Sequence, residues 1–292
     1  MHRLFNHRFE IAFVLTSRRA APRARLKARL PERMPTTLST PPTDAVARLR
    51  SLIEHGVAVR FNLTHWASTA SCLDAPGGPV GRLKVILEQI RPDVVKLIVM
   101  ESLEHTAKAD LDTMVYGETT VDGFLEFIRM RVGEVRGLEE PARLLRFYDL
   151  GSGCGKSVVT AALCAQFSSC VGIELLPCLH GIAECLVEDV RACVFTEDPR
   201  DAAAPSRPVV ECRLGDIFTD ASWTDGDFVF CNCVTWDEDT MTRLAALAER
   251  MRPGAVFVTV LAPLPSDAFT LVAEDDVEFS WGVVEALVHR RL

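Results

Sequence analysis

The chain has 292 residues, of which 48% are hydrophobic, and a formal net charge of −8. That is enough apolar material for one large domain or one and a half, and no apolar run approaches the roughly 18 residues of a membrane-crossing helix. The ten cysteines include no C-x-x-C pair and no histidine stands at zinc spacing, so a reducing compartment, cytosol or nucleus, is expected.

The charge is unevenly spread. Residues 1–50 carry 11 Lys/Arg against 3 Asp/Glu, a net of +8, whereas the remainder carries 21 against 37, a net of −16. Residues 1–42 combine scattered arginines with Pro22, Pro31, Pro35, Pro41 and Pro42. They read as a basic, poorly ordered arm with a short apolar element near 9–15. Such an arm suits a polyanionic partner, and an Arg-rich, acid-poor start also fits a mitochondrial transit peptide. Residues 43–110 form a helical region, with helices predicted at 44–55, 80–90 and 93–103. A Pro/Gly loop is expected at 74–79 and Pro92 divides the last two helices. Residues 111–120 read as a loop and 121–131 as a helix, opening a third region over 111–292.

The stretch Phe147–Ser157 reads FYDLGSGCGKS. Its GKS ending suggests a phosphate-binding loop, but that template requires glycine where Leu150 stands. The dinucleotide fingerprint G-x-G-x-x-G fits Gly151 and Gly153 and then fails at Lys156. What survives is acidic-x-G-x-G-x-G, from Asp149 through Gly151 and Gly153 to Gly155. It resembles the first motif of class I methyltransferases that bind S-adenosylmethionine. A strand must turn sharply into a helix while its backbone lies against the ligand, so side chains are excluded and helix N–H groups face a carboxylate. About 20 residues on, Cys170–Glu174 is an apolar run ending in an acid. That is where α/β folds hold ribose hydroxyls. Nicotinamide-binding folds share this acid, and Glu174 is otherwise a solvated strand end.

From 145 onward strands and helices alternate. Strands are predicted at 145–150, 169–174, 209–213, 227–232 and 255–260, and helices at 156–167, 177–192 and 238–251, with a loop insertion at 196–208. This pattern gives a mostly parallel sheet covered on both faces. Short strands at 277–279 and 283–288, bent at Trp281-Gly282, would close it as an antiparallel hairpin. The whole is a seven-stranded, Rossmann-like α/β fold of the class I methyltransferase type.

Three further residues stand at strand ends, where ligands of open α/β sheets bind. Asp216 could accept from the exocyclic amine of adenine while Ile217 covers the ring, although Gly-Asp is also a common turn pair. Asn232, inside the apolar run FVFCNCVTW, needs a hydrogen-bond partner. Either a structural backbone group or the amine being methylated would serve.

VYGETT at 115–120, then YDLGSGCG, VGIE, GDIF, CNCVTW and finally SWG at 280–282 resemble, in order and spacing, the disruptor-of-telomeric-silencing family, the histone lysine methyltransferases without a SET domain. The resemblance covers about 110 to 282. It implies S-adenosyl-L-methionine as cofactor, S-adenosyl-L-homocysteine as product, a lysine in the globular part of histone H3 as acceptor, the nucleosome as partner and the nucleus as location. Tyr116, Gly117, Glu118 and Thr119 would fold over the cofactor, with Tyr116 also near the chemistry. Asp149, Gly151, Ser152, Gly153, Gly155 and Lys156 would form the cofactor turn. Glu174 would hold the ribose, and Asp216 with Ile217 the adenine. Asn232 would stand at the methyl-transfer position and Trp281 near the lysine channel. The sequence departs from the family where Cys231 and Cys233 flank Asn232 and where Val283, Val284, Glu285 and Ala286 follow SWG in place of aromatics.

An apolar channel would lower the proton affinity of the acceptor lysine, and Trp236 or Trp281 could face the passing positive charge. An enzyme acting on RNA or on a non-histone protein, and a non-catalytic chromatin adaptor, are the alternatives.

Overall fold

The computed structural model describes residues 75–88, 90, 92, 95, 98, 99, 118–135, 144–195, 208–280 and 282–292. The readings made on 1–42, 44–55 and 111–117 lie outside them. So do those on 196–207 and on most of 93–103, where Val95, Ile98 and Val99 are described and buried.

Seven strands form one sheet: β1 (Leu145–Leu150), β2 (Phe167–Glu174), β3 (Val209–Leu214), β4 (Phe228–Cys231), β5 (Val256–Val260), β6 (Phe269–Phe279) and β7 (Gly282–Arg291). Their order is β3-β2-β1-β4-β5-β7-β6. The first five run parallel, and β7 is antiparallel to both β5 and β6. This is the class I methyltransferase sheet. The direction of winding reverses between β1 and β4, so a crevice opens at their carboxyl ends.

Period-two alternation divides the apolar residues between two cores. Leu145, Phe147, Phe167, Phe228, Phe230, Val256 and Val258 face one side. Tyr148, Leu150, Val171, Ile173, Val229, Cys231 and Phe257 face the other. The first side is covered by α1 (Gly78–Leu87), α2 (Val121–Arg131), α3 (Lys156–Ala161) and α4 (Pro177–Cys193). The second is covered by α5 (Glu238–Ala248) and a 3-10 turn that buries Trp223.

Helix starts follow local chemistry. The Thr120 hydroxyl accepts from Gly123 N at 3.3 Å to cap α2, and the Asp237 carboxylate accepts from Thr240 N at 2.8 Å to cap α5. Pro177 begins α4, where its missing N–H costs nothing.

Several boundaries differ from the sequence reading; the helix expected at 238–251, for example, ends at Ala248, and the last strand runs Gly282–Arg291. The helix expected at 156–167 stops at Ala161, and Phe167 opens β2. Its ring lies 5.4 Å from Phe147 and 6.1 Å from Phe228, and this core contact outweighs helix propensity. The Pro/Gly stretch before residue 80 supplies the start of α1, with Gly77 in the left-handed region at φ 92°. β6 begins at Phe269 rather than near 277: Glu274 and Asp276 of its acidic centre are exposed, Asp275 is bound by Arg131 of α2, and the whole strand pairs with β7.

Candidate active site

The glycine turn follows β1. Gly151, Gly153 and Gly155 have φ of 77°, 56° and 78°, a region that side chains disfavour. A Cβ on Gly151 would meet nothing within 4 Å, whereas one on Gly155 would press on Cys212 Sγ at 3.0 Å and Ala183 Cβ at 3.2 Å. Gly151 therefore borders an open cradle and Gly155 a close packing contact. The turn is tied to β2: Gly151 N and Ser152 N both donate to Ile173 O, at 2.9 and 3.1 Å. The buried Ser152 hydroxyl has no hydrogen-bond partner among the described residues and lies against Gly172, where any Cβ would stand 2.5 Å from it.

Glu174 ends β2 and is buried. Its carboxylate accepts from Gly153 N at 2.7 Å and from Leu176 N at 2.8 Å. The residue expected to hold a ribose thus also holds the turn in shape. Burial pushes its carboxyl up, partly countered by those N–H groups. Gly215 N donates to Glu174 O at 2.9 Å, which brings the loop after β3 alongside. In that loop Asp216 Oδ1 accepts from Phe218 N at 2.9 Å. Ile217 is buried in the second core, and its carbonyl accepts from Trp223 Nε1 at 2.9 Å.

Asp149 lies beneath the turn, fully buried, and accepts from the Ser157 hydroxyl. Burial raises its carboxyl to about 7, the serine opposes the rise, and the Glu174 charge adds to it. A cationic ligand group above the turn favours the ionised carboxyl. Bound ligand then lowers the value, and a proton leaves. Affinity for S-adenosylmethionine is expected to rise with pH up to about 7 and to level off above it, with proton release in calorimetry run in two buffers. Asp149→Asn removes this dependence. Without ligand the sign is opposite. The folded value exceeds the ordinary 3.8, so the fold loses on the order of 4 kcal/mol as pH rises from that value to about 7.

Lys156 does not project freely toward a ligand. Its buried ammonium donates to Ile90 O at 2.9 Å and to the Glu118 carboxylate. Glu118 O accepts from Ser280 N at 2.7 Å, Thr119 forms an antiparallel bridge with Phe279, and Thr120 N donates to Glu278 O at 2.9 Å. Two motifs far apart in sequence thereby become neighbours. The GKS tripeptide hinted at a charged contact for Lys156, but nothing in the sequence identified Glu118 as its partner. Tyr116, Gly117 and Trp281 lie outside the described residues.

Asn232 follows β4 at the crevice, and its Oδ1 is buried with no hydrogen-bond partner among the described residues. The flanking cysteines are core residues. Cys231 packs in the second face, where burial pushes its thiol up, and Cys233 Sγ donates to Val260 O. Trp236 packs 6.1 Å from Phe218, whose ring is also covered by Arg243. The structure therefore brings the Gly151 turn, Glu174, Asp216 and Asn232 to one end of the sheet. An open cradle at a helix N-terminus and an orphaned amide oxygen both suit S-adenosylmethionine with a methyl acceptor beside it.

At the level of fold, the chain is similar to several solved methyltransferase structures. TrmN from Thermus thermophilus is 15% identical with a TM-score of 0.41, covering 59% of this chain, and the chain spans about half (48%) of TrmN. The rRNA methyltransferase AviRa from Streptomyces viridochromogenes is 12% identical, with a TM-score of 0.46 and coverage of 64% and 92%. A putative class I S-adenosylmethionine-dependent methyltransferase from Listeria monocytogenes is 9% identical, with a TM-score of 0.45 and coverage of 85% and 88%. No curated protein matches the chain. The family model described as histone methylation protein DOT1 matches residues 103–280, well over half of the chain. With the glycine turn, the strand order and this match together, the chain belongs to the DOT1 family and is an S-adenosylmethionine-dependent methyltransferase.

Proposed function

We propose that the protein methylates a lysine in the globular part of histone H3 within intact nucleosomes, in the nucleus. The observation that carries this reading is the buried, unpartnered Oδ1 of Asn232 at the carboxyl end of β4, in a chain of the DOT1 family. Bound S-adenosylmethionine supplies an already activated methyl group, so the protein's task is alignment more than acid–base chemistry. An amide oxygen accepts an N–H bond and cannot take up the proton. Asn232 therefore holds an amine that has already lost its proton, with the lone pair turned away from the Asn232 contact. A free lysine titrates near about 10.4, and water-excluded surroundings bring that value down.

Methyl transfer from labelled S-adenosylmethionine, measured on intact nucleosomes, free histones and RNA, tests the proposal. The expected result is transfer to H3 in nucleosomes. Transfer to RNA or to another protein, with none to nucleosomes, overturns it.

DNA contact is assigned to the basic arm. The body, at −16 over residues 51–292, repels DNA, while Arg18, Arg19, Arg23, Arg25, Lys27, Arg29 and Arg33 cluster within 16 residues. Phosphate contacts of this kind release counterions without reading bases. Deleting residues 1–33 should weaken nucleosome affinity and flatten its salt dependence while leaving S-adenosylhomocysteine binding unchanged. An unaltered salt slope, or import of an N-terminal fusion into mitochondria, counts against the arm as anchor.

A further inference from the structure

From the sequence alone Lys156 resembles a ligand-binding lysine, since it follows the glycine turn directly and begins α3. The structure gives its ammonium two other acceptors. One is Ile90 O at 2.9 Å and the other the Glu118 carboxylate, and both charged side chains are nearly enclosed, at 11% and 7% exposure. A buried ion pair recovers little beyond its own desolvation, and an apolar pair of the same volume often stabilises as well or better. What an ion pair adds is position: each charge has one acceptable place. Here it helps to fix the segment Glu118–Thr120, which among the described residues also makes two backbone bonds, Ser280 N to Glu118 O and Thr120 N to Glu278 O, and the Thr120–Glu278 side-chain contact at 2.8 Å.

We infer that Lys156 is a positioning residue which registers the Glu118–Thr120 segment against the end of β6 and couples that register to the cofactor turn, rather than a ligand of the cofactor. The path runs from Gly155 through Lys156 and Glu118 to Ser280, at the junction of β6 and β7. It links the glycine turn to the bend of the β6–β7 hairpin, and both lie at the carboxyl end of the parallel strands, since Val260 pairs with Ala286. Because such coupling is reciprocal, a ligand in the cofactor site steadies the Glu118–Thr120 segment, and a displaced segment weakens the ligand. The inference rests on the cofactor site and not on which macromolecule is methylated, so failure of the histone proposal leaves it standing.

Hydrogen exchange and calorimetry with S-adenosylhomocysteine, on wild type, Lys156→Met, Glu118→Gln and the double variant, test it without turnover. Amides of Thr120 and Ser280 should exchange at least about tenfold faster in each single variant, and affinity should fall about tenfold, because one buried charge loses its partner. The double variant should be no worse than either single one, as expected for residues acting as a unit. Ligand should protect these two amides in wild type and not in the variants. If Lys156→Met fails to fold, Glu118→Gln, which changes one atom, decides alone.

A direct ligand role for Lys156 would appear differently. Lys156→Met would bind S-adenosylhomocysteine weakly with unchanged exchange, and methylthioadenosine, which lacks the amino-acid portion, as tightly as wild type. Glu118→Gln would behave as wild type. That outcome overturns the inference, as would unchanged exchange and affinity in all variants.

Discussion

Asn232→Ala is expected to lower the single-turnover rate of methyl transfer by at least about 100-fold, the scale of losing one preorganised polar contact at a reacting centre. Affinity for S-adenosylhomocysteine should stay within about threefold, since an interaction made mainly in the transition state contributes little to ground-state binding. The stability of the variant separates this role from a structural one. A buried amide oxygen without a partner costs roughly 1–3 kcal/mol, and Asn232 Oδ1 is such a group. Removing it should leave the melting temperature unchanged or raised. A structural asparagine would show the reverse, with lost stability and preserved turnover. Single-turnover rates on nucleosomes, ligand calorimetry and thermal melts together decide the matter.

Gly151→Arg should reduce cofactor affinity by more than about 100-fold while the protein still folds. An L-residue in the left-handed region costs roughly 1–2 kcal/mol, and φ at Gly151 is 77°. No protein atom lies within 4 Å of the added Cβ, so the side chain grows into the cradle and not into the core. Gly155→Ala makes the contrast. Its Cβ meets Cys212 Sγ at 3.0 Å and Ala183 Cβ at 3.2 Å, so it should lose stability first and affinity as a consequence. Equal S-adenosylhomocysteine affinity in wild type and Gly151→Arg would remove the cofactor from this turn.

The parallel core of the fold was legible because its signals are local. LRFYDL and FVFC alternate or run apolar over strand length, and Gly151-x-Gly153-x-Gly155 marks a turn no other residue type makes easily. β1 was bounded correctly from those signals alone. The end of α3 was not, since Phe167 joins the strand through rings contributed by Phe147 and Phe228, which lie elsewhere in the chain. The start of β6 is hidden because Glu274, Asp275 and Asp276 suggest solvent; an edge strand that exposes Glu274 and Asp276 and gives Asp275 to Arg131 satisfies both demands. Glu174 and Asn232 stand out in the sequence by their place at strand ends, and the structure brings both to the carboxyl end of the sheet. The double duty of Glu174, as acceptor for Gly153 N and Leu176 N, was hidden because backbone donors leave no trace in residue type. The Lys156–Glu118 pair was hidden for a related reason: any carboxylate within reach would have served.

The position of β7 bears on when this enzyme becomes competent during synthesis. β6 is made before β7, and among the described residues the strand it pairs with is β7, which slots between it and β5. The rung between Thr119 and Phe279 therefore waits for the final strand, and the accompanying Thr120–Glu278 contact spans 158 residues of chain. Contacts this distant form late, after local and parallel units have gathered. A nascent chain emerging from the ribosome can thus assemble its glycine turn and five parallel strands while the Glu118–Thr120 segment still lacks its backbone partners in β6 and Ser280. A copy clipped within β7 would stay in that state, holding the turn that receives the methyl donor without the strand that completes the site. The hairpin thus makes synthesis of β7 a condition for the Glu118–Thr120 segment to find its place against β6.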